Sequence, residues 1–284
     1  MIIEITEQSF DEVINFCWNI AQDKTQYGFP RFDNYQHLSQ RFLDSLHHPD
    51  DKILVYYENG ILVGVLNLFV ETKENYLHAV GGVFTTENFN TITDLFIQYL
   101  QIHYPGYDFQ IGFPVEHVAA NNYFKNLNAP LLDASLTMKL VPLDFISHPD
   151  THTLIKVTEH NFDKYATFHD KYFGSFYWNS TRLSKKMEQW YLFYLEQNDI
   201  IIGSIFIRQH NPWQLEVFGL ILEEAYHSED AELNLLSQAL TQTLTDETQE
   251  VTFFVDEDNE SHFKTCLKNG FKQFDTYRSY KITL

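Results

Sequence analysis

The sequence predicts an α+β (α/β) protein built as two tandem copies of one plan, each a mixed, mostly antiparallel sheet flanked by helices. Three observations carry this. The chain has 284 residues, more than one ordinary domain of roughly 100–200 residues. Short pieces recur in the same order. Thr6-Glu7 with Phe10-Asp11 returns as Thr158-Glu159 with Phe162-Asp163, and Asn59-Gly60-Ile61-Leu62-Val63-Gly64 returns as Asn198-Asp199-Ile200-Ile201-Ile202-Gly203. Between these landmarks, β-type runs and helical patterns follow one another in the same succession in both halves.

Each half begins with a short β-like run, Ile2–Ile5 or Leu154–Val157. An amphipathic helix follows, for which Thr6 or Thr158, or a neighbour, supplies the N-cap. Asn59-Gly60 and Asn198-Asp199 lie between apolar runs and read as hairpin turns. Strands over Tyr76–Phe84 and Gln214–Leu222 come next, then helices over Thr91–Ile102 and Ala231–Leu244. The first half closes on a strand (Asp108–Phe113), a helix (Ala119–Leu127) and a strand (Ser135–Leu140). The second closes on Glu250–Val255, Asn259–Lys268 and Tyr277–Thr283 in the same roles. Pro142 and Pro149 mark the connection. The expected division is residues 1–141, a linker at 142–151, and residues 152–284.

Composition narrows the function. With 19 basic against 39 acidic residues the net charge is −20. Such a surface repels phosphate backbones and anionic lipid, so neither nucleic acid nor a membrane is an expected partner. Apolar residues make up 44% and aromatics 16%, enough to build cores and to exclude intrinsic disorder. Cys17 and Cys266 form no disulfide or zinc framework, and His47-His48 lacks the spacing of a metal site. Met1–Glu7 has neither a basic nor a long apolar segment. The apolar run Ile61–Val70 is broken by Gly64 and Asn67 and falls short of the ~20 residues that span a bilayer. A cytoplasmic protein is expected, and its oligomeric state is left open.

The element order, a turn ending in apolar-Gly, and a late Asn269-Gly270-Phe271 before the last strand together resemble the GCN5-related N-acetyltransferase (GNAT) family. The resemblance covers nearly the whole chain as two tandem GNAT-like domains. Asn259–Phe271 with Tyr277–Ile282 looks like the family's fourth helix, closing Gly-Phe and last strand, and Leu215–Leu222 looks like its fourth strand. This implies an acyl-CoA-dependent N-acyltransferase (N-acetyltransferase) with acetyl-CoA, or another acyl-CoA, as cofactor and a small amine as substrate.

In that family a glycine-rich loop after the fourth strand, with the next helix N-terminus, holds the cofactor pyrophosphate. Here the two glycine positions in the second half fall on Asp230 and Glu232, close to Glu229. The first-half loop, Thr85-Thr86-Glu87-Asn88-Phe89-Asn90-Thr91, also lacks glycine but is less acidic. A pair of close like charges costs about 4 kcal/mol at an effective dielectric of 20. Electrostatics therefore places the cofactor in the first half, at Phe84, Thr85, Thr86, Asn88 and Asn90. Leu220 and Leu222 form the matching edge in the second.

The resemblance also proposes catalytic groups. Glu216 stands where members often hold a general base; the other reading is an exposed strand-end carboxylate. His78 is its first-half counterpart, or a structural histidine. The family's general acid, a Tyr on the fourth helix, aligns with Cys266, which is either a proton donor or simple packing. In the first half it aligns with Phe124, and Tyr123 takes the role if the alignment slips by one. The aromatic turns Tyr27–Phe32 and Phe173–Trp178 either cage an amine by cation–π contact or cover the core. The missing glycines and tyrosine support an alternative function, a catalytically inactive GNAT-derived binding or regulatory protein.

Overall fold

The computed structural model describes residues 1–32, 34–149 and 152–284; Asp150 and Thr151, in the expected linker, lie outside the described residues. In chain order the first repeat comprises β1 (Ile2–Glu4), α1 (Phe10–Ala21), α2 (Tyr35–His47), β2 (Lys52–Glu58), β3 (Ile61–Glu71), β4 (Tyr76–Thr85), α3 (Phe89–His103), β5 (Asp108–Pro114), α4 (Val118–Asn126) and β6 (Leu131–Leu140). The second comprises β7 (Leu154–Lys156), α5 (Phe162–Phe173), α6 (Ser180–Ser184), β8 (Trp190–Gln197), β9 (Ile200–Asn211), β10 (Gln214–Leu222), α7 (Glu229–Thr243), β11 (Glu250–Asp256), α8 (Glu260–Lys268) and β12 (Lys272–Thr283). The succession matches the sequence reading. The hairpin turns form for the expected reason: Asn59 and Gly60 have φ of 51° and 80°, and Asn198 and Asp199 have φ of 50° and 62°, values that Asn, Asp and Gly adopt most readily.

The chain folds into two compact units that are not contiguous halves. The first unit is Met1–Ser135 together with Asp275–Leu284, and the second is Leu136–Phe274. In the first, β1, β2, β3, β4 and β5 lie side by side, and β5 pairs antiparallel with β12 from Tyr277↔Pro114 to Thr283↔Asp108. In the second, the end of β6 lies beside β11, followed by β10, β9, β8 and β7. The sequence division into 1–141 and 152–284 therefore describes the repeat in element order, whereas the compact bodies exchange their last strands. The Tyr277 ring packs close over β5: a Cβ on Gly112 would lie 2.3 Å from it, so any larger residue there would have to displace the ring.

Alternation along the strands separates two apolar layers in each unit. In the first unit, Leu66, Leu68, Phe109 and Phe113 face α3 and α4, while Leu62, Val65 and Phe84 face α1 and α2. In the second, Ile205, Ile207, Val217 and Phe253 face α7 and α8, while Leu192, Phe206 and Trp190 face α5 and α6. Each fully buried large side chain contributes about 1.5–3 kcal/mol. The connection is tied down rather than loose. Its His148 amide donates to Ser237 Oγ at 2.8 Å, and its Pro149 carbonyl accepts from Asn234 at 2.7 Å, which explains why α7 buries polar residues on a helix otherwise packed in the core. No described helix is long and apolar enough to cross a membrane.

Removing residues 275–284 is expected to strip β5 of its partner and unfold the first unit. Hydrogen exchange should show lost amide protection in β4, β5 and α4 with protection kept in β9 and β10. Retained protection in β5 would show that the last strand is dispensable.

Candidate functional site

In both units the fourth and fifth strands of the sheet start in register and then part. In the first unit, β4 and β5 pair in parallel only from Tyr76↔Asp108 to His78↔Gln110. Beyond that point β4 bulges: Val80, Gly81 and Gly82 stand opposite Asn67 alone, with φ of 86° and 79° at the two glycines. Parting strands leave backbone donors and acceptors without sheet partners, and such groups must find others. Here the chain supplies them. The Gly28 amide donates to Gly81 O at 2.9 Å, the Gly81 amide donates to Phe29 O at 3.0 Å, and the Phe29 amide donates to Gly112 O at 2.9 Å.

Tyr27–Phe29 thus lies between β4 and β5 as an inserted loop segment. The approach is close enough that a Cβ on Gly28 would meet Gly82 Cα at 2.4 Å. Phe29 packs edge-on to Tyr277 at 4.8 Å, and the buried Tyr27 hydroxyl donates to Asp275. Burial first, then this carboxylate, push the Tyr27 hydroxyl pKa above its usual value. The turn read from sequence as an amine cage or a core cover here inserts its Tyr27–Phe29 backbone into the divergence.

The remaining first-unit candidates serve the strand end and the helix start. Phe84 is buried against Phe42 at 6.0 Å. Thr85 Oγ1 donates to Val63 O at 2.8 Å and accepts the Glu87 amide, and Asn88 caps α3 by accepting the Thr91 amide. Thr86 and Asn90 are exposed. Tyr76 donates to Gln110 Oε1 at 2.7 Å and lies 3.2 Å from His78 Nδ1. Since that hydroxyl has one proton, the His78 proton belongs on Nδ1. Burial holds the His78 pKa down to about 4, which keeps it neutral and a poor base. Tyr123 donates to Asp94 at 2.5 Å, and burial and Asp94 raise its pKa. That bond ties α4 to α3. Phe124 takes the inward place, stacked on Tyr280 at 5.4 Å.

The second unit differs at each of these points. β10 and β11 run parallel from Gln214↔Glu250 to Val217↔Phe253 and then part. Among the described residues, no loop segment makes the backbone bonds that Tyr27–Phe29 makes in the first unit. The corresponding turn stays on the flank: Phe173 packs on Phe206 at 5.0 Å, and the Trp178 carbonyl lies 2.8 Å from His169 Nε2. Leu220 and Leu222 bury their side chains toward α7 and α8, so only their backbone is presented at the edge. Just before the divergence, Glu216 Oε2 lies 2.7 Å from His210 Nε2, with Arg208 directly across the strand pair. Trp190, Phe206 and Phe218 pave the same face.

The acidic loop before α7 is also less hostile than its composition suggests. Glu232 is 1% exposed, because it is turned toward α8. One carboxylate oxygen lies 2.7 Å from His227 Nε2 and 3.6 Å from His262 Nε2; the other accepts from Ser261 at 2.6 Å and Thr265 at 3.3 Å. Glu229 is paired with Lys268. Two of the three carboxylates counted against this half, Glu232 and Glu229, thus have local partners. Cys266 is fully buried, and burial followed by Glu232 raises its pKa; it packs the core as a small apolar group. Among the described residues no cluster of His, Cys, Asp or Glu has the geometry of a metal site.

No family profile and no curated protein matches the sequence. Solved structures do match along the full length. A tandem GNAT protein from the clavulanic acid biosynthesis pathway aligns with 100% of this chain and 98% of its own, with a TM-score of 0.63 and 12% identity. The fold is that of a tandem GNAT protein. A GCN5-related N-acetyltransferase from Sphaerobacter thermophilus aligns with TM-score 0.70, 11% identity and coverage of 100% and 95%. A GNAT-family acetyltransferase from Colwellia psychrerythraea aligns with 0.55, 13% and full coverage of both chains. Within this GNAT fold, sequence reasoning singled out Glu216 near the start of β10 but did not foresee His210 in contact with it, Arg208 across from it or the insertion of Tyr27–Phe29. The pairing of Gly28 with Gly81-Gly82 was the available signal.

Burial lowers the pKa of both His78 and His117 to about 4, against about 6.5 in an unfolded chain. The unfolded state takes up protons first, so the stability these residues confer is complete above pH 6.5 and is lost as pH falls toward 4. The thermal midpoint should fall through that window, and the double variant His78→Gln/His117→Asn should flatten the slope. An unchanged slope would refute the assignment.

Proposed function

We propose that this chain is an acyl-CoA-dependent N-acyltransferase that acts on a small amine through its second unit. The observation that carries this reading is the Glu216–His210 pair set beside a strand divergence that, among the described residues, no loop backbone fills. The residues there suit acetyl-CoA at the backbone level. The edge of β10 at Leu220–Leu222 offers main-chain groups, and the first amides of α7, at Glu229 and Asp230, have no intrahelical acceptor by helix geometry. A bound acyl-CoA would supply the acyl group as a thioester, which an unprotonated amine attacks directly.

The chain's own part is to prepare that amine. The Glu216–His210 pair accepts the ammonium proton, and the aromatic floor of Trp190 and Phe218 limits water, so the amine stays unprotonated near the acyl carbon. Proximity then supplies much of the rate, with proton transfer adding about 10²–10⁴-fold. No tyrosine lies on α8, so this chain offers no phenolic acid there, and the proton for a departing thiol would come from water. The first unit, its divergence filled by Tyr27–Phe29, fits the alternative non-catalytic role and contributes structure.

Calorimetric titration with acetyl-CoA should find one site per chain. Glu216→Gln should keep that binding and lose about 100-fold in transfer. Tyr123→Phe and Thr86→Glu/Asn90→Glu should leave binding and turnover within about threefold, since they lie in the first unit. Absence of both heat and thiol release at millimolar acetyl-CoA would overturn the enzyme reading, and loss of binding in the Thr86/Asn90 variant would return the site to the first unit.

A further inference from the structure

The face that carries Glu216 is locally basic in a protein of net charge −20. Arg208 lies over Trp178 at 4.9 Å and near Trp190 at 5.8 Å, Lys186 lies over Trp178 at 5.8 Å, and Arg182 lies over Tyr177 at 3.9 Å. The aromatic turn Phe173–Trp178 therefore does not offer an empty cage for a cationic amine, because the faces of Tyr177 and Trp178 already hold the protein's own cations.

Arg208 stands apart from the other two. It is partly buried, its Nε is buried without a hydrogen-bond partner, and no described carboxylate lies within ion-pair distance of it. A guanidinium stays charged under such conditions. Contact with two indoles restrains it, and the planar guanidinium fork is suited to bidentate binding of a carboxylate. Its strand partner is Glu216, which in turn contacts His210 at 2.7 Å. A cation and a proton-accepting pair thus stand side by side, in the order needed to receive a carboxylate and the amine next to it.

We propose that the acceptor is an amino-acid-like molecule, with Arg208 binding its carboxylate while Glu216–His210 takes the proton from its adjacent ammonium. This rests on the second unit's being the working site. The cofactor pyrophosphate is not the anion in question. Arg208 lies opposite Glu216, six residues before the end of β10 at Leu222, so at about 3.3 Å per residue the strand end that leads to α7 is roughly 20 Å away.

The test uses the full chain with each common L-amino acid and its decarboxylated amine. Binding is read without cofactor from tryptophan fluorescence, since Trp178 and Trp190 flank Arg208, and transfer is read with acetyl-CoA from thiol release. At least one amino acid should bind and react tenfold or more better than its decarboxylated counterpart. Arg208→Gln should raise its Kd and KM at least tenfold with little change in kcat and should erase the preference, while Arg208→Lys should fall between. Glu216→Gln should instead lower kcat. Equal performance of amines with and without the carboxylate, or no amino acid bound by the wild-type chain, would overturn the proposal, and the first result alongside thiol release would leave the acyltransferase reading standing. Arg208-dependent amino-acid binding without any acetyl-CoA binding would support the subsite and overturn the acyltransferase reading.

Discussion

The parting of the fourth and fifth strands governs this molecule. Two parallel strands that separate expose backbone groups that the sheet no longer satisfies, and each exposed amide or carbonyl left without a partner carries a cost of about 1–3 kcal/mol when buried. The two units meet that demand differently. The first inserts Tyr27–Phe29 between Gly81 and Gly112 with three backbone hydrogen bonds. In the second, the equivalent turn packs on the flank against Phe206. One architecture, repeated in one chain, thus has one copy whose divergence is filled by its own backbone and one in which, among the described residues, no loop backbone fills it.

Glycine sets which copy is closed. Gly28 and Gly82 approach backbone to backbone, and Gly81 and Gly82 hold positive φ, so the inserted segment requires the absence of side chains on both sides. The second unit has Phe218 and Gly219 at its bulge, and a Cβ on Gly219 would meet the Phe206 ring at 2.4 Å. Its glycine is used to pack β10 against an aromatic ring of its own sheet, which leaves no equivalent backbone-to-backbone seat.

Charge is equally local. The net balance of −20 describes long-range encounter with other polyanions, yet the groups that matter for a site are those within a few ångströms. Glu232 is turned into a cluster of Ser261, Thr265, His227 and His262, and Glu229 is matched by Lys268. Meanwhile Arg208, Arg182 and Lys186 gather on two aromatic side chains. A count of acids along the loop before α7 does not show that Glu232 faces the next helix, because a one-dimensional count carries no side-chain direction.

The sequence by itself determined the local and periodic features. Asn59-Gly60 and Asn198-Asp199 turn where they were expected because positive φ is a property of the residues themselves. The alternating strands and amphipathic helices follow from burying one face of each element, and their repetition made the tandem plan and the place of Glu216 legible. Tertiary structure alone decided which sheet receives the last strand, which divergence is filled, and which partners Tyr123, His78 and Cys266 meet. A strand's alternating pattern states that one face is buried but not against what, so Tyr277–Thr283 fits either sheet by pattern. In the structure Tyr277–Thr283 pairs along the whole of β5, with the Tyr277 ring against Gly112, a contact between residues far apart in the chain that no local pattern announces.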